Sequence, residues 1–294
     1  MNQYLEPSQP PLRLRTLTAA DLDFADSVRA LAGWNQTRAD WERFLAMEPD
    51  GCFLAEWNGT PAGTATTTIY GPELAWIGMV LVHPDLRRRG IGRALLKHCI
   101  AYLHGRGVRG LKLDATPAGK EVYDRLGFRD EWTLKRWAGR PAAATPAAPQ
   151  PGLRPWRATD VARVESLDAT AFGASRRVLL GALAQTSTVA LVKESAAGDI
   201  AGFGFARTGS QALYLGPVVA DSAQAGLGLV EALISRHPGQ LIFWDISDPN
   251  EAAVECARQR GFTVQRPLIR MFLGENTAPG NARWQFGIAG PEVG

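Results

Sequence analysis

Cysteine is scarce. The 294 residues hold three, Cys52, Cys99 and Cys256, an odd number at wide spacing. That pattern excludes a disulfide framework and offers no paired-thiol metal site. Cys52 and Cys99 lie in apolar stretches, where a free cysteine acts as a small core residue. No apolar run approaches the length of a membrane helix. The opening MNQYLEPSQPPLRL has no apolar core of the kind a secretory signal needs, so a reducing cytoplasm is expected. Excess charge is absent too. Lys+Arg total 32 against 29 Asp+Glu, a formal +3, and no basic helix or aromatic-basic surface suggests nucleic acid.

What is present is an ordinary globular composition, 46% hydrophobic and 21% charged, in a chain long enough for two cores. One stretch organises it, residues 76–96, WIGMVLVHPDLRRRGIGRALL. Trp76 to Val82 is almost continuously apolar, as in a strand covered on both faces. Pro84 ends it, since proline cannot donate into a ladder. Arg87-Arg88-Arg89-Gly90-Ile91-Gly92 follows and opens a helix. Close glycines let backbone N–H groups converge, a helix N-terminus adds its dipole, and three arginines add charge. The combination suits a phosphate, such as the pyrophosphate of a nucleotide-like cofactor.

The surrounding elements follow from capping and turn chemistry. A strand at 12–15 precedes a helix that Asp21 can cap, and a second helix follows Thr37. Asn58-Gly59 marks a hairpin between strands at 52–57 and 62–70. A strand at 74–82, a helix at about 90–104, a strand at 108–114, a helix at about 117–126 and a strand at 128–137 complete a β-α-α-β-β-β-α-β-α-β order. This is an α/β (α+β) pattern, a mixed sheet flanked by helices. Residues 138–152, rich in alanine and proline, read as a linker between domains at 12–137 and 153–273, with tails at 1–11 and 274–294. The second half weakly repeats the first. LRPWRATD at 153–160 echoes LRLRTLTAAD, Ala223–Gly228 stands for Arg87–Gly92, and Arg260-Gly261-Phe262 echoes Leu126-Gly127-Phe128. The last tail, with Trp284 and Phe286, is expected to pack on a surface.

Residues 12–137 resemble the GNAT superfamily of acetyl-CoA-dependent N-acetyltransferases. The match rests on Arg87-x-x-Gly90-x-Gly92 after an apolar strand ending in Val82-His83-Pro84, and on Tyr123-Asp124-Arg125-Leu126-Gly127-Phe128. The second half resembles the degenerate GNAT-like domain that follows such a domain in some bacterial two-domain enzymes. The resemblance implies tandem GNAT folds and transfer of an acetyl group from acetyl-CoA to an amine, with no metal, nucleic acid or membrane involved. It implies that the backbone of Val80, Leu81 and Val82 pairs with the pantetheine arm. The amides of Arg88, Arg89, Gly90, Ile91, Gly92 and Arg93 would hold the pyrophosphate, and Arg87, Arg88 or Lys120 the outer phosphates. Thr116 and Gly119 also fall on the cofactor side.

Tyr123 matches the tyrosine that protonates the leaving thiolate in many members. The position where some members carry a basic glutamate is Trp76. Asp114 is then the leading candidate base, with Glu73 and His83 behind it. Trp34, Asn35, Gln36 and Thr67 fall where members build the acceptor pocket. In the second half Ala223, Gln224 and Ala225 replace the arginines and Ala257 replaces Tyr123, so that half is expected to shape the acceptor site or to mediate self-association as a homodimer. Two other readings stay open, a longer acyl donor and a non-catalytic acyl-CoA sensor.

Overall fold

The computed structural model describes residues 11–141 and 150–294. The expected first tail, apart from Pro11, and most of the expected linker lie outside those residues. The first half runs β1 (Leu12–Thr16), α1 (Leu22–Leu31), α2 (Arg38–Met47), β2 (Cys52–Trp57), β3 (Thr60–Gly71), β4 (Leu74–Val82), α3 (Ile91–Gly105), β5 (Gly110–Ala115), α4 (Pro117–Asp124) and β6 (Arg129–Gly139). The second half repeats that order: β7 (Leu153–Pro155), α5 (Asp160–Phe172), α6 (Arg177–Thr186), β8 (Ser187–Glu194), β9 (Ile200–Arg207), β10 (Leu213–Ala220), α7 (Ala223–Ile234), β11 (Ile242–Ser247), α8 (Glu251–Gln259) and β12 (Thr263–Gly274). A short β13 (Gln285–Gly287) follows.

Local chemistry explains the starts of the helices. Thr37 and Asp40 form a reciprocal capping box at α2, the Thr37 hydroxyl donating to Asp40 at 2.9 Å. Asp21, expected to cap α1, turns back instead. Its carboxylate accepts from the Thr18 amide at 2.8 Å and from Arg15 at 2.7 and 2.8 Å. The charge-assisted pair with Arg15 outcompetes the helix N–H groups for its lone pairs.

All the described strands join one sheet, ordered β1-β2-β3-β4-β5-β12-β6-β11-β10-β9-β8-β7, with β13 beside β10. The halves exchange their long last strands. β12 pairs antiparallel with β5, setting Ile269 opposite Ala115, and β6 pairs antiparallel with β11, setting Lys135 opposite Ile246. β6 and β12 pair with each other at the seam. The packing is shared as well. Trp41 and Phe44 of α2 sit in one core with Leu179 and Leu183 of α6 and Phe203 and Phe205 of β9. Two further cores lie under α3 and α4 and under α7 and α8.

The last segment does not lie on the surface. Residues 285–290 and 292–294 are buried, and Phe286 is 2% exposed. The segment is short of charge and rich in glycine, so its backbone can run close to the sheet. The Trp244 indole donates to the Phe286 carbonyl at 2.7 Å, the Trp76 indole to the Pro291 carbonyl at 2.9 Å, and Arg176 to the Gly294 carbonyl.

Candidate active site

β4 and β5 run parallel and are registered at Ala75–Leu111 and Trp76–Lys112. Beyond Trp76 that pairing ends, and β4 continues to Val82. Val80, Leu81 and Val82 therefore have a backbone edge toward β5 with no strand on it. At the same point β4 is bulged. Met79 takes φ +50°, and the register with β3 slips between Gly78 and Leu81.

The turn after β4 leads straight into α3. Arg88 (φ +61°) and Gly90 (φ +81°) take left-handed backbone conformations, which curl the chain into the helix start at Ile91. The Arg87 Nε donates to the Val82 carbonyl at 3.3 Å, and the Arg89 guanidinium stands 5.5 Å from the centre of the Trp57 ring. Arg87, Arg88, Arg89 and Arg93 are exposed and form no ion pair among the described residues. Lys120 differs, because Asp124 at 2.8 Å and Asp130 at 2.9 Å already pair with it.

A cavity of about 120 Å³ opens where β4 and β5 part. Trp34, Gln36, Gly78, Met79, Val80, Asp114, Thr116, Gly119, Tyr123, Arg266 and Glu292 are among its walls. Thr116 is the residue before α4, and Pro117 fits the first helical position. Gly119 makes room for Tyr123, since a Cβ there would stand 2.9 Å from the ring. Phe128 meets the Tyr123 ring edge-on at 6.0 Å. Burial pushes the Tyr123 hydroxyl up to about 12, so it holds its proton across the working range of most enzymes.

Asp114 is spoken for. Arg270 of β12 donates to both its oxygens at 2.9 Å, and the Arg270 guanidinium lies between the Trp76 and Trp132 rings, at 4.5 and 4.1 Å. Burial raises its pKa and the arginine opposes that. A carboxylate with both oxygens in a fork-to-fork pair has no free lone pair directed at a substrate proton. Trp76, at the position where a glutamate was sought, is thus one wall of the arginine's aromatic sandwich. Glu73 lies outside this cavity and pairs with Arg109, while His83 stands 3.8 Å from Asp85 on the far side of the turn.

Of the expected acceptor residues, Trp34 and Gln36 line the cavity and the other two do not. Asn35 splices the halves together. Its amide donates to the Ala212 carbonyl, and its oxygen accepts from the Gln211 and Ala212 amides, all at 3.0 Å. Thr67 points away and donates to the Gly51 carbonyl at 2.9 Å. Both side chains satisfy backbone groups instead of lining this cavity.

The residue not anticipated is Glu292. It is 6% exposed and projects from the last segment into the cavity. Its one hydrogen bond to a side chain comes from the Gln36 amide at 2.7 Å. Burial raises its pKa, the nearby Asp40 charge raises it further, and Arg207 opposes them. The segment reaches β4 because residue 78 is glycine; a Cβ there would collide with the Glu292 carbonyl. A glycine inside a buried strand marks such a close backbone approach, and that was the available signal.

In the second half the matching strand edge is covered. β10 registers with β11 from Leu213 to Leu215, and beyond that β13 lies against β10, setting Val218 opposite Gly287. The Phe286 ring fills the space beside Gly226, where any Cβ would strike it. A cavity of about 350 Å³ opens beside the starts of α7 and α8, lined by Asp221, Glu251 and Arg283, so a phosphate there would meet charges of both signs. Among the described residues no group of His, Cys, Asp or Glu is arranged to hold a metal ion, and no helix is long and apolar enough to cross a membrane.

Comparison with known proteins agrees with this duplicated plan. Residues 20–128 match the Acetyltransferase (GNAT) family, and residues 164–287 match an Acetyltransferase (GNAT) domain. An uncharacterized N-acetyltransferase of Methanocaldococcus jannaschii is 32% identical over 143 residues, which is 42% of this chain and 63% of that protein. One from Bacillus subtilis is 24% identical over 190 residues, 65% of this chain and 66% of that protein. The chain thus spans somewhat under two thirds of the length of either relative. A crystal structure of a putative acetyltransferase from Pyrococcus horikoshii superposes with a TM-score of 0.83 at 23% identity, covering 100% of this chain and 99% of that one.

Proposed function

The chain belongs to the GNAT acetyltransferase family, carrying two such domains in tandem, and from that premise we propose that its first half moves an acetyl group from acetyl-CoA to an amine. One observation carries the reading. A single cavity joins the unpaired edge of β4, a tyrosine held protonated by burial, and a carboxylate that forms no ion pair among the described residues.

The residues fit the donor. The open edge of Val80 to Val82 can pair with the pantetheine amides as a further strand would. The turn from Arg88 to Arg93 offers a helix N-terminus and arginines that form no ion pair among the described residues, as suits a pyrophosphate. The donor supplies an activated acetyl thioester. The acceptor nitrogen bonds to the acetyl carbon as the carbon–sulfur bond breaks. The nitrogen must lose a proton, and Glu292 takes it, its raised pKa making it a stronger base than an ordinary carboxylate. The departing thiolate must gain one, and Tyr123 gives it. Asp114 acts one step back, by fixing Arg270 against the wall formed by Trp76.

Thiol release from acetyl-CoA with a panel of amines tests this. Turnover with at least one amine, lost in Tyr123→Phe, is the expected result. Tight CoA binding with no turnover on any amine would favour the acyl-CoA sensor instead.

A further inference from the structure

We propose that the acceptor is an amine that also bears a carboxylate, an amino-acid-like zwitterion seated between Glu292 and Arg266. This rests on the acetyl-transfer reading above and names its substrate class.

The charges in the cavity wall and those packed behind it pair off almost completely. Arg270 holds Asp114 at 2.9 Å, Arg136 holds Asp245 at 2.6 and 2.8 Å, and Arg207 stands 3.7 Å from Asp40. Two charges remain. Glu292 has an amide for company and no cation, and Arg266 has no ion pair or hydrogen bond among the described residues. They carry opposite signs and line the same cavity, yet stand too far apart to pair with each other.

Their remaining polar atoms match the two ends of an amino acid. The Arg266 Nε is buried without an acceptor, and burial lowers that guanidinium to about 10. The Gln36 Oε1, next to Glu292, is buried without a donor. An ammonium or amine at one end would donate to Glu292 and Gln36, and a carboxylate at the other would accept from Arg266. Buried charges without partners are costly, so two charges of opposite sign that do not pair with each other are relieved by a ligand with the complementary pair. A carboxylate fits better than a phosphoryl group, because one planar guanidinium matches its charge and its two oxygens while the neighbouring arginines are already engaged. Both recognition residues come from the second half of the chain, Arg266 on the exchanged strand β12 and Glu292 on the last segment.

Calorimetry on the full chain with CoA present decides it, using a set of α-amino acids, the matching amino-acid amides and the decarboxylated amines. The expected result is that at least one amino acid binds about 10- to 100-fold more tightly than its amide, the range of one charge-assisted contact. That preference should vanish in Arg266→Gln and return in part in Arg266→Lys. Equal affinity for acid and amide, a preference that survives Arg266→Gln, or no amino acid binding at all would each overturn the proposal. Thiol release run in parallel keeps the two readings apart. Acetylation of carboxylate-free amines as fast as of amino acids sinks the zwitterion and leaves the enzyme standing. Arg266-dependent amino-acid binding with no turnover sinks the enzyme and leaves the zwitterion site.

Discussion

Glu292→Gln is the sharpest perturbation of this site. The amide has the same shape as the carboxylate and keeps an oxygen for the Gln36 donor, so the change removes basicity and little else. A positioned general base contributes about 10²- to 10⁴-fold to rate, equivalent to about 3–5.5 kcal/mol of barrier. Glu292 belongs toward the upper part of that range, because it is buried and its charge is not quenched by an ion pair. The assay is thiol release at saturating acceptor over a wide pH range, with acetyl-CoA affinity measured separately. In the unaltered protein kcat should fall as pH drops through the Glu292 pKa, which burial holds above the usual carboxylate value of about 4.3. Tyr123 contributes no alkaline limb until about pH 12. In the glutamine variant the acid limb should disappear along with two or more decades of kcat, while acetyl-CoA binds as before. A variant within tenfold of the unaltered rate, or one that keeps the same acid limb, would refute the assignment.

Tyr123→Phe should cost about 10²- to 10⁴-fold in kcat with the ring packing against Phe128 intact, and single-turnover kinetics would show whether the chemical step slowed. Phe286→Ala opens a cavity in the second half and should cost about 3–5 kcal/mol, read as a lower Tm. Because Phe286 anchors the strand that leads to Glu292, acetylation in the first half should fall with it, and unchanged turnover in a destabilised variant would contradict that linkage. Gly78→Ala drives a methyl into the Glu292 backbone, so turnover should drop while acetyl-CoA affinity changes less; a fully active variant would show that the segment can shift without consequence.

The parts of the site visible in the sequence are those made by neighbouring residues. The strand, turn and helix from Trp76 to Leu96 are local, and so is Gly119 beneath Tyr123, one helical turn away. What escaped depends on partners far along the chain. Asn35 looks like an acceptor ligand until Ala212 satisfies it from 177 positions away. Asp114 looks like a base until Arg270 arrives on a strand from the other half. Glu292 sits in a segment whose glycines and scarcity of charge resemble a loose tail, and those same features let it thread through the core. Gly78 alone hinted at the visit, and a lone glycine names no visitor.

The exchange of β6 and β12 bears on how a duplicated gene can decay. A redundant second copy is ordinarily free to be deleted once its chemistry lapses. Here deletion would strip β5 of its neighbour at Ile269 to Gly274 and leave β6 without β11 beside it, so the surviving copy would lose its own edge. Selection can therefore relax on the turn at 223–228, where Ala223, Gln224 and Ala225 stand in place of arginines, while holding residues 263–274 in place. Mutation counts across the two copies should accordingly be uneven, with free drift around the turn at 223–228 and restraint along the lent strand.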